Sequence, residues 1–238
     1  MKVEFVMSRG PFEPLFDELP TAIPLFPLSG ALLLPGGSLP LNIFEPRYLA
    51  MIQDAMASGH RMIGMIQPHI DIKGDIKGGR NGYYEIGCAG RISEFSESDD
   101  GRFMISLSGV ARFTCHNHHL DEAGYVIGDV DFAKFQADLV PDEAAIARDN
   151  LLSILRSYFD VKGFSADWSH IDDCEDERLV TTLSMICPFG HTEKQALLEA
   201  PDLVQRTQLL IAMLEMSVLS SKTSGQGDND NNEAPLAH

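Results

Sequence analysis

The spacing of hydrophobic residues divides the chain into two parts. Up to about residue 135, short apolar runs alternate with polar positions and are broken by proline and glycine, which is typical of β-strands. From Pro141 onward, apolar residues recur every three or four positions, as they do on one face of an α-helix. Because the strands come first and nearly all helices follow, the pattern predicts an α+β fold and not alternating βαβ units.

The predicted strands are short and bent near the start of the chain and longer afterwards. Apolar stretches at 22–28 and 31–44 contain prolines, which remove backbone donors, so they are predicted to be edge strands or bent barrel strands. The turn at 99–102 lies between two long alternating runs and predicts a hairpin. Further strands are predicted within 61–68 and 124–132.

Helix boundaries are predicted from capping residues and proline. Pro46 suits the first turn of a helix that ends at Ser58, because its missing N–H costs nothing there. Thr192 and Asp202 each precede a glutamine by three positions and predict two N-caps. Three buried helix faces are predicted from apolar spacing: Ile146, Leu151, Ile154, Leu155 and Tyr158; Leu179, Leu183 and Ile186; and Leu203, Thr207, Leu210, Ile211, Leu214 and Val218.

These patterns predict four segments. They are an N-terminal extension (1–19), a β-rich subdomain (20–135), a helical subdomain (136–220) and a disordered, Ser-, Gly-, Asn- and Asp-rich tail (221–238). The glycine-rich stretch 71–82 is predicted to be a mobile loop. It lacks the Gly-Lys-Ser/Thr ending of a phosphate-binding loop, so no nucleotide site is predicted there.

Charge and cysteine usage narrow the possible partners. The 238 residues carry a formal net charge of −17, which disfavours nucleic acid and anionic membranes as partners. The four cysteines show no Cys-x-x-Cys pair, so neither a zinc site nor a disulfide framework is predicted. The first twenty residues lack the apolar core of a signal peptide, and no apolar run approaches ~20 residues. We therefore expect a cytoplasmic protein without cofactor or metal.

The stretch Phe44-Glu45-Pro46-Arg47-Tyr48 combines two opposite charges, a proline and aromatic rings. The favoured interpretation is a structural corner, in which Glu45 suits the helix dipole and Arg47 pairs locally. The alternative is that Arg47 and Tyr48 line a groove for an extended polypeptide. Catalysis is disfavoured, because one carboxylate and one permanently protonated guanidinium form no acid–base pair and activate no nucleophile.

Three other groups of residues allow a structural and a functional interpretation. For Arg112, a structural salt bridge is favoured over contact with a ligand. In the run 115–119, His116 and His118 share one face of a strand and could hold a metal, although exposed strand-end histidines are favoured. The acidic run 172–177 lacks the spacing of a calcium loop, so a solvated helix start is favoured over a cation site.

Four motifs, taken in order, resemble a known family. They are IPLFPLSGALLLPGGSLPLNIFEPRYLAMIQDAM, GCAGRISEF, SLSGVARF and EKQALLEAPDLVQRTQLLIAML. Together they resemble the amino-terminal, substrate-recognition domain of ATP-dependent Lon proteases over roughly residues 20–216. The resemblance implies a PUA-like β-barrel followed by a C-terminal helical bundle. Complete Lon proteases continue into ATPase and Ser–Lys peptidase modules, whereas this sequence contains no Walker motif. We therefore expect a stand-alone, non-enzymatic Lon-domain protein.

The resemblance implies a module that binds unfolded or partly folded polypeptide. The candidate binding residues are Glu45, Arg47, Tyr48 and Arg112, and no residue is predicted to be catalytic or to bind metal. A protease or a chaperone is a further candidate partner. Two alternatives stay open: a small-molecule or metal-dependent enzyme with its site in the crevice between barrel and helices, and an acidic adaptor for a protease or chaperone.

Overall fold

A computed structural model describes residues 14–69, 82–142 and 144–225, with side chains to residue 221. The predicted loop at 71–82 lies almost wholly outside these ranges. The strands are β1 Ala22–Pro27, β2 Ser38–Ile43, β3 Met62–Ile66, β4 Ile86–Glu97, β5 Phe103–Leu120 and β6 Val126–Asp131. The helices are α1 Pro46–Ala57, α2 Arg148–Lys162, α3 Trp168–Asp172, α4 Asp176–Ile186, α5 His191–Glu199 and α6 Leu203–Gly225, with 3-10 turns at Phe16–Glu18 and Ala133–Leu139.

The six strands form one sheet in the order β2-β5-β4-β3-β1-β6, and β5 also pairs with β6. The strands that pair in a ring are therefore β5, β4, β3, β1 and β6, since β6 pairs again with β5. Strand β2 is not part of this ring and pairs with β5. β1 and β3 pair in parallel, whereas the other described pairings are antiparallel. The helices α2 to α6 follow the sheet in sequence, so the predicted α+β fold is confirmed.

Prolines occupy places where a strand pairs on one side only. Pro24 lies in the part of β1 that pairs with β6, and Pro27 lies in the part that pairs with β3. Pro40 is in β2, whose described partner is β5 alone. A missing N–H donor interrupts no central ladder at these positions, which agrees with the prediction of edge or bent barrel strands.

Two hydrophobic clusters hold the fold together. The smaller one is built from the strand region, with Phe113 as its largest fully buried side chain. The larger one joins strands, α1 and the C-terminal helices. It includes Phe26, Met51, Leu107, Leu155 and Leu214, all buried. Because strand and helix residues share this second cluster, the two predicted subdomains pack through a common core.

A glycine allows the loop between β1 and β2 to lie directly against β5. A Cβ placed on Gly109 would meet the Leu34 carbonyl oxygen at 2.0 Å. The Gly109 N–H donates to the Gly37 oxygen at 2.8 Å, and the Gly36 N–H donates to the Gly109 oxygen at 3.0 Å. Only glycine permits this approach without a backbone shift, and the contact fixes Pro35 beside the helices.

Most helix faces are as predicted. The stripe on α6 is buried in full, and the Asp202 side chain accepts a hydrogen bond from the Gln205 N–H at 2.8 Å, as a cap does. The predicted cap at Thr192 is wrong, because α5 already begins at His191. There the Glu193 carboxylate accepts from the Gly190 N–H at 2.7 Å and supplies the cap instead.

Two apolar positions and one boundary differ from the expectation. The apolar spacing predicts a buried Ile186, which is instead 66% exposed at the last position of α4. Ile146 precedes α2, which starts at Arg148. The last helix continues through Gly225, past residue 221 at which the tail is predicted to begin. Periodicity alone does not locate a helix end, because the terminal turn retains the spacing while losing its packing partners.

Candidate functional site

A groove of about 300 Å³ lies at the corner where β2 leads into α1. We call it the corner groove. It is lined by Phe26, Pro27, Leu28, Leu41, Asn42, Ile43, Phe44, Glu45, Arg47, Tyr48 and Tyr83. Its walls are mainly apolar and aromatic, with one carboxylate and one guanidinium at the rim. This composition is that of a surface able to accept side chains of another molecule.

Three predicted site residues meet in this groove. Glu45 is the N-cap residue of α1, and its carbonyl oxygen accepts from the Tyr48 and Leu49 N–H groups at 2.9 Å. Its carboxylate caps no N–H and instead accepts from Arg47, at 3.1 Å from Nε and 2.8 Å from Nη2. The Glu45 side chain thus pairs with Arg47, and the Tyr48 N–H that an N-cap side chain could accept is bonded to the Glu45 carbonyl oxygen instead.

The Glu45–Arg47 pair is exposed to solvent. About half of each side chain is accessible, 45% for Glu45 and 51% for Arg47. Exposed pairs of this kind contribute roughly 0–1 kcal/mol to stability, because water already solvates both charges well. Partial burial of the Arg47 guanidinium opposes its charge, whereas the hydrogen bond to Glu45 favours it, and the net effect raises the Arg47 pKa.

Aromatic rings form the floor and one side of the groove. Tyr48 is 7% exposed and packs against Phe26 with ring centroids 4.5 Å apart, while the Arg47 guanidinium lies 4.5 Å above the Tyr48 ring. Burial raises the pKa of both Tyr48 and Tyr83, so both phenols stay neutral at physiological pH. The Phe44 ring, by contrast, is 62% exposed.

The edge of the sheet runs along the same groove. Leu41, Asn42 and Ile43 belong to β2 and line the groove, and among the described strands β2 pairs with β5 alone. The other side of β2 therefore presents backbone N–H and C=O groups without a strand partner. An apolar groove beside an unpaired strand edge can receive an extended chain, whose main chain pairs with the edge.

Arg112, the fourth predicted site residue, lies elsewhere. Its side chain is buried and forms a two-pronged pair with Asp138, at 2.9 Å from Nε and 2.7 Å from Nη2. Its remaining donors reach the carbonyl oxygens of Leu198, Ala200 and Pro201 at 3.1, 2.5 and 3.4 Å. The guanidinium thereby connects β5 to the 3-10 turn Ala133–Leu139 and to the segment between α5 and α6.

A crevice separates this part of the sheet from the helices. It consists of two adjoining cavities of about 550 and 490 Å³, which share Pro35, Asp138, Val140, Pro141 and Glu177 in their walls. The larger cavity extends to Ser38 at the start of β2. The smaller one, lined by Arg112 and Arg206, reaches the beginning of α6. Burial raises the pKa of Glu177 here.

The histidine and acidic runs do not converge on a metal site in the described ranges. His116 lies 3.7 Å from Asp131, whereas His118 packs edge-on against Tyr83. The pairing of β5 with β6 carries a register shift between Cys115 and Asn117, beside these histidines. Across residues 14–69, 82–142 and 144–225, no three or more His, Cys, Asp or Glu side chains are grouped as metal ligands.

Sequence reasoning missed several residues that shape these sites. Asp138 has no sequence signal, because it lies 26 residues after its partner Arg112. Arg206 was predicted only as part of a helix. Tyr83 follows the glycine-rich stretch 71–82, so its position beside the groove could not be predicted from the sequence. Phe44 did carry a signal, since a large aromatic residue directly before a charged corner has no partner on the helix stripe that follows.

A family model matches residues 22–216 of the chain, and its description is the ATP-dependent protease La (LON) substrate-binding domain. Lon protease 2 of Myxococcus xanthus is 24% identical over 213 residues, covering 87% of this chain and 25% of the relative. The Lon protease of Endomicrobium trichonymphae is 22% identical over 208 residues, covering 84% of this chain and 25% of the relative. The chain thus spans about a quarter of the length of these relatives.

Two solved structures share the fold. A Lon N-terminal domain protein from Xanthomonas campestris superposes with a TM-score of 0.56 at 23% identity, covering 81% of this chain and 98% of the other. The N-terminal domain of the Mycobacterium avium complex Lon protease gives 0.59 at 18% identity, covering 82% and 98%. Within the part of the chain that the structure describes, no helix combines the length and apolar character needed to cross a membrane.

Proposed function

The chain belongs to the family of Lon substrate-binding domains, and from this premise we propose that it binds unfolded or partly folded polypeptide in the corner groove. The observation that carries the proposal is the edge of β2 that has no strand partner among the described residues and runs along an apolar groove. An extended segment adds to β2 as a further strand, and its main chain supplies most of the hydrogen bonds. Folded proteins should bind more weakly, because most of their backbone groups are already paired within the fold.

Side chains of the bound segment contact the groove walls. Phe44 offers an exposed ring, and Tyr48 and Tyr83 offer buried or half-buried faces, so apolar and aromatic side chains gain most from binding. Glu45 and Arg47 stand at the rim and can exchange their mutual hydrogen bonds for bonds to the ligand. The net charge of −17 favours neutral or basic segments over acidic ones.

We further propose that the domain acts without catalysis, in the cytoplasm and without nucleic acid or membrane as a partner. The groove holds one carboxylate, one permanently protonated guanidinium and two neutral phenols, a set without a nucleophile–base pair. A protease or a chaperone that takes over the captured segment is the natural recipient. The proposal concerns binding by this domain, whatever further steps the whole protein performs.

The test compares one polypeptide in two states. Reduced, carbamidomethylated lysozyme is permanently unfolded and carries nearly the charge of native lysozyme, so the pair separates folding state from charge. Both are labelled with the same dye, and binding to the protein is measured by fluorescence anisotropy at about 0.15 M salt, where long-range attraction is screened. We expect saturable binding of the unfolded form, and affinity for the native form lower by at least about tenfold.

A variant in the groove locates the binding site. Phe44→Ala removes an exposed ring and should leave the melting temperature nearly unchanged, because little apolar area is buried there. It should weaken binding of unfolded lysozyme by about fivefold or more. Leu219→Ala is the matched control, since Leu219 is 64% exposed and lies on α6 outside the groove. Equal binding of native and unfolded lysozyme, or equal effects of both variants, contradicts the proposal.

A further inference from the structure

The larger cavity of the crevice has an apolar wall that is open to solvent. Val140 is 54% exposed, and Val110 and Leu139, which line the same cavity, are half-buried. Pro35 and Pro141 extend this apolar lining. The cavity measures about 550 Å³, which is enough for several side chains. Exposed apolar side chains around a concave site of this size are typical of a docking surface.

The chain itself reaches this cavity at Pro14. Pro14 is the first residue that the structure describes, and it lines the cavity together with Val140. The five residues before it are Arg9, Gly10, Pro11, Phe12 and Glu13. Five residues span at most about 17 Å when fully extended, so these side chains stay within reach of the cavity. A tether this short gives a local concentration on the order of mM, so even a weak contact suffices for docking.

The charges of this segment match those of the cavity walls. The walls carry the Arg91 guanidinium and the Glu177 carboxylate, while a third charged group, Asp138, is already paired with a buried arginine. The segment carries the opposite charges at Glu13 and Arg9, on either side of its apolar residues. A cavity with one cationic and one anionic position and an apolar wall therefore suits these five residues.

We propose that residues 9–13 dock in the larger cavity of the crevice, with the Phe12 ring as their anchor. The ring packs against the exposed Val140 and the face of the Arg91 guanidinium, a favourable contact for an aromatic ring. Arg9 pairs with Glu177, so the docked segment connects the sheet to α4. The cavity and the corner groove share no lining residue, so this inference is independent of the proposed polypeptide binding.

The test is limited trypsin digestion of the full chain under native conditions, followed by intact-mass spectrometry. Trypsin cleaves after Arg9, and the rate of this cut reports how often the segment leaves the cavity. A synthetic peptide of residues 1–19 gives the rate for the undocked sequence. We expect the cut after Arg9 to be at least about tenfold slower in the protein than in the peptide.

Two pairs of variants assign the protection to the proposed contact. Phe12→Ala should speed the cut by about fivefold or more, whereas Phe5→Ala, the matched control outside residues 9–13, should leave it unchanged. Peptides with the same substitutions correct for any change in the trypsin site itself. On the cavity wall, Val140→Asn should speed the cut by about threefold or more. Leu120→Asn is its control, because Leu120 is 71% exposed and lies outside the crevice.

Equal cleavage rates in the protein and the peptide overturn the inference, as do equal effects of Phe12→Ala and Phe5→Ala. If Phe12→Ala speeds the cut but Val140→Asn does not, the segment docks elsewhere and the assignment to the crevice fails. Protection that increases with protein concentration would give the cavity to a second copy of the chain, and would also contradict docking within one molecule. Melting temperatures of all four variants should stay close to that of the unaltered protein, because each substitution leaves the buried core intact.

Discussion

Arg112 and Arg47 form the same chemical pair, an arginine with one carboxylate, in opposite environments. The Arg112–Asp138 side chains are 5% and 7% exposed, whereas those of Arg47 and Glu45 are 51% and 45% exposed. Arg112 also donates to three carbonyl oxygens and lies against the Phe135 ring. Arg47 has Glu45 and the ring of Tyr48 as its described partners.

The contrast separates residues that maintain the fold from residues free to bind. A buried arginine whose donors are all used cannot exchange partners without leaving other groups unsatisfied. An exposed arginine with one local partner can exchange it at almost no cost. Arg112 therefore acts as a structural connection, and we propose Arg47 as a contact for ligand.

The largest effect is expected from Arg112→Ala. It removes the guanidinium from the Asp138 carboxylate, which keeps only the backbone N–H of residue 112, and leaves three carbonyl oxygens without this donor. The variant should lower the free energy of unfolding by about 3–5 kcal/mol. Urea unfolding measured by circular dichroism checks this. Arg156→Ala serves as control, because Arg156 also pairs with a carboxylate, Asp172, but is 47% exposed. Losses of similar size in both variants would remove the distinction between the two environments.

A smaller but substantial loss is expected from Tyr48→Ala. Tyr48 is buried and packs on Phe26, so truncation leaves a cavity in the larger core and should cost about 3 kcal/mol. The conservative change Tyr48→Phe keeps the ring and should cost less than about 1 kcal/mol, since the partner of its hydroxyl is the exposed Arg47 guanidinium. Urea unfolding of both variants measures the two losses of unfolding free energy. Equal losses would show that the hydroxyl, and not the ring, stabilises the fold.

The fold could be predicted well from the sequence because the spacing of apolar residues and the position of a proline depend only on residues close together in the chain. Two-residue alternation marked the strands, helical spacing marked the stripe on α6, and Pro46 marked the start of α1. Contacts between distant residues were not predictable in the same way. Arg112 and Asp138 are separated by 26 positions, and nothing in either neighbourhood identifies the other. Burial, which decides the role of each arginine, depends on such contacts.

The acidic run at 172–177 shows the same limit. A solvated helix start was favoured, and Asp172 is indeed an exposed partner of Arg156. Glu177, however, is half-buried in the crevice and accepts from the Asp142 N–H at 3.2 Å. Carboxylates of one run thus have different surroundings, because Asp172 is the last residue of α3 whereas Glu177 lies in the first turn of α4.

A weaker, pH-dependent effect is expected at Glu177. Burial raises its pKa above the ordinary value of 4.5, so the folded protein binds this proton more tightly than the unfolded chain does. The associated stability is fully present below the ordinary pKa and is lost as pH rises through the raised folded pKa. Glu177→Gln should therefore flatten the decline of unfolding free energy as the pH rises above the ordinary pKa of 4.5. An unchanged pH profile in the variant would contradict this assignment.

The smallest effect on stability is expected at Arg47, and it tests the comparison most directly. Arg47→Ala should change the free energy of unfolding by less than about 1 kcal/mol, as Arg156→Ala should. Both arginines pair with an exposed carboxylate and lie over an aromatic ring, at 4.5 Å for Arg47 and 4.1 Å for Arg156. They differ in that Arg47 lines the corner groove.

Thermal melts and binding of unfolded lysozyme, measured side by side on these two variants, are the decisive measurement. The account predicts two stable proteins, of which Arg47→Ala binds unfolded lysozyme about fivefold or more weakly, while Arg156→Ala binds like the unaltered protein. A strongly destabilised Arg47→Ala protein, or one that is stable and binds normally, would contradict the assignment of Arg47 to ligand binding.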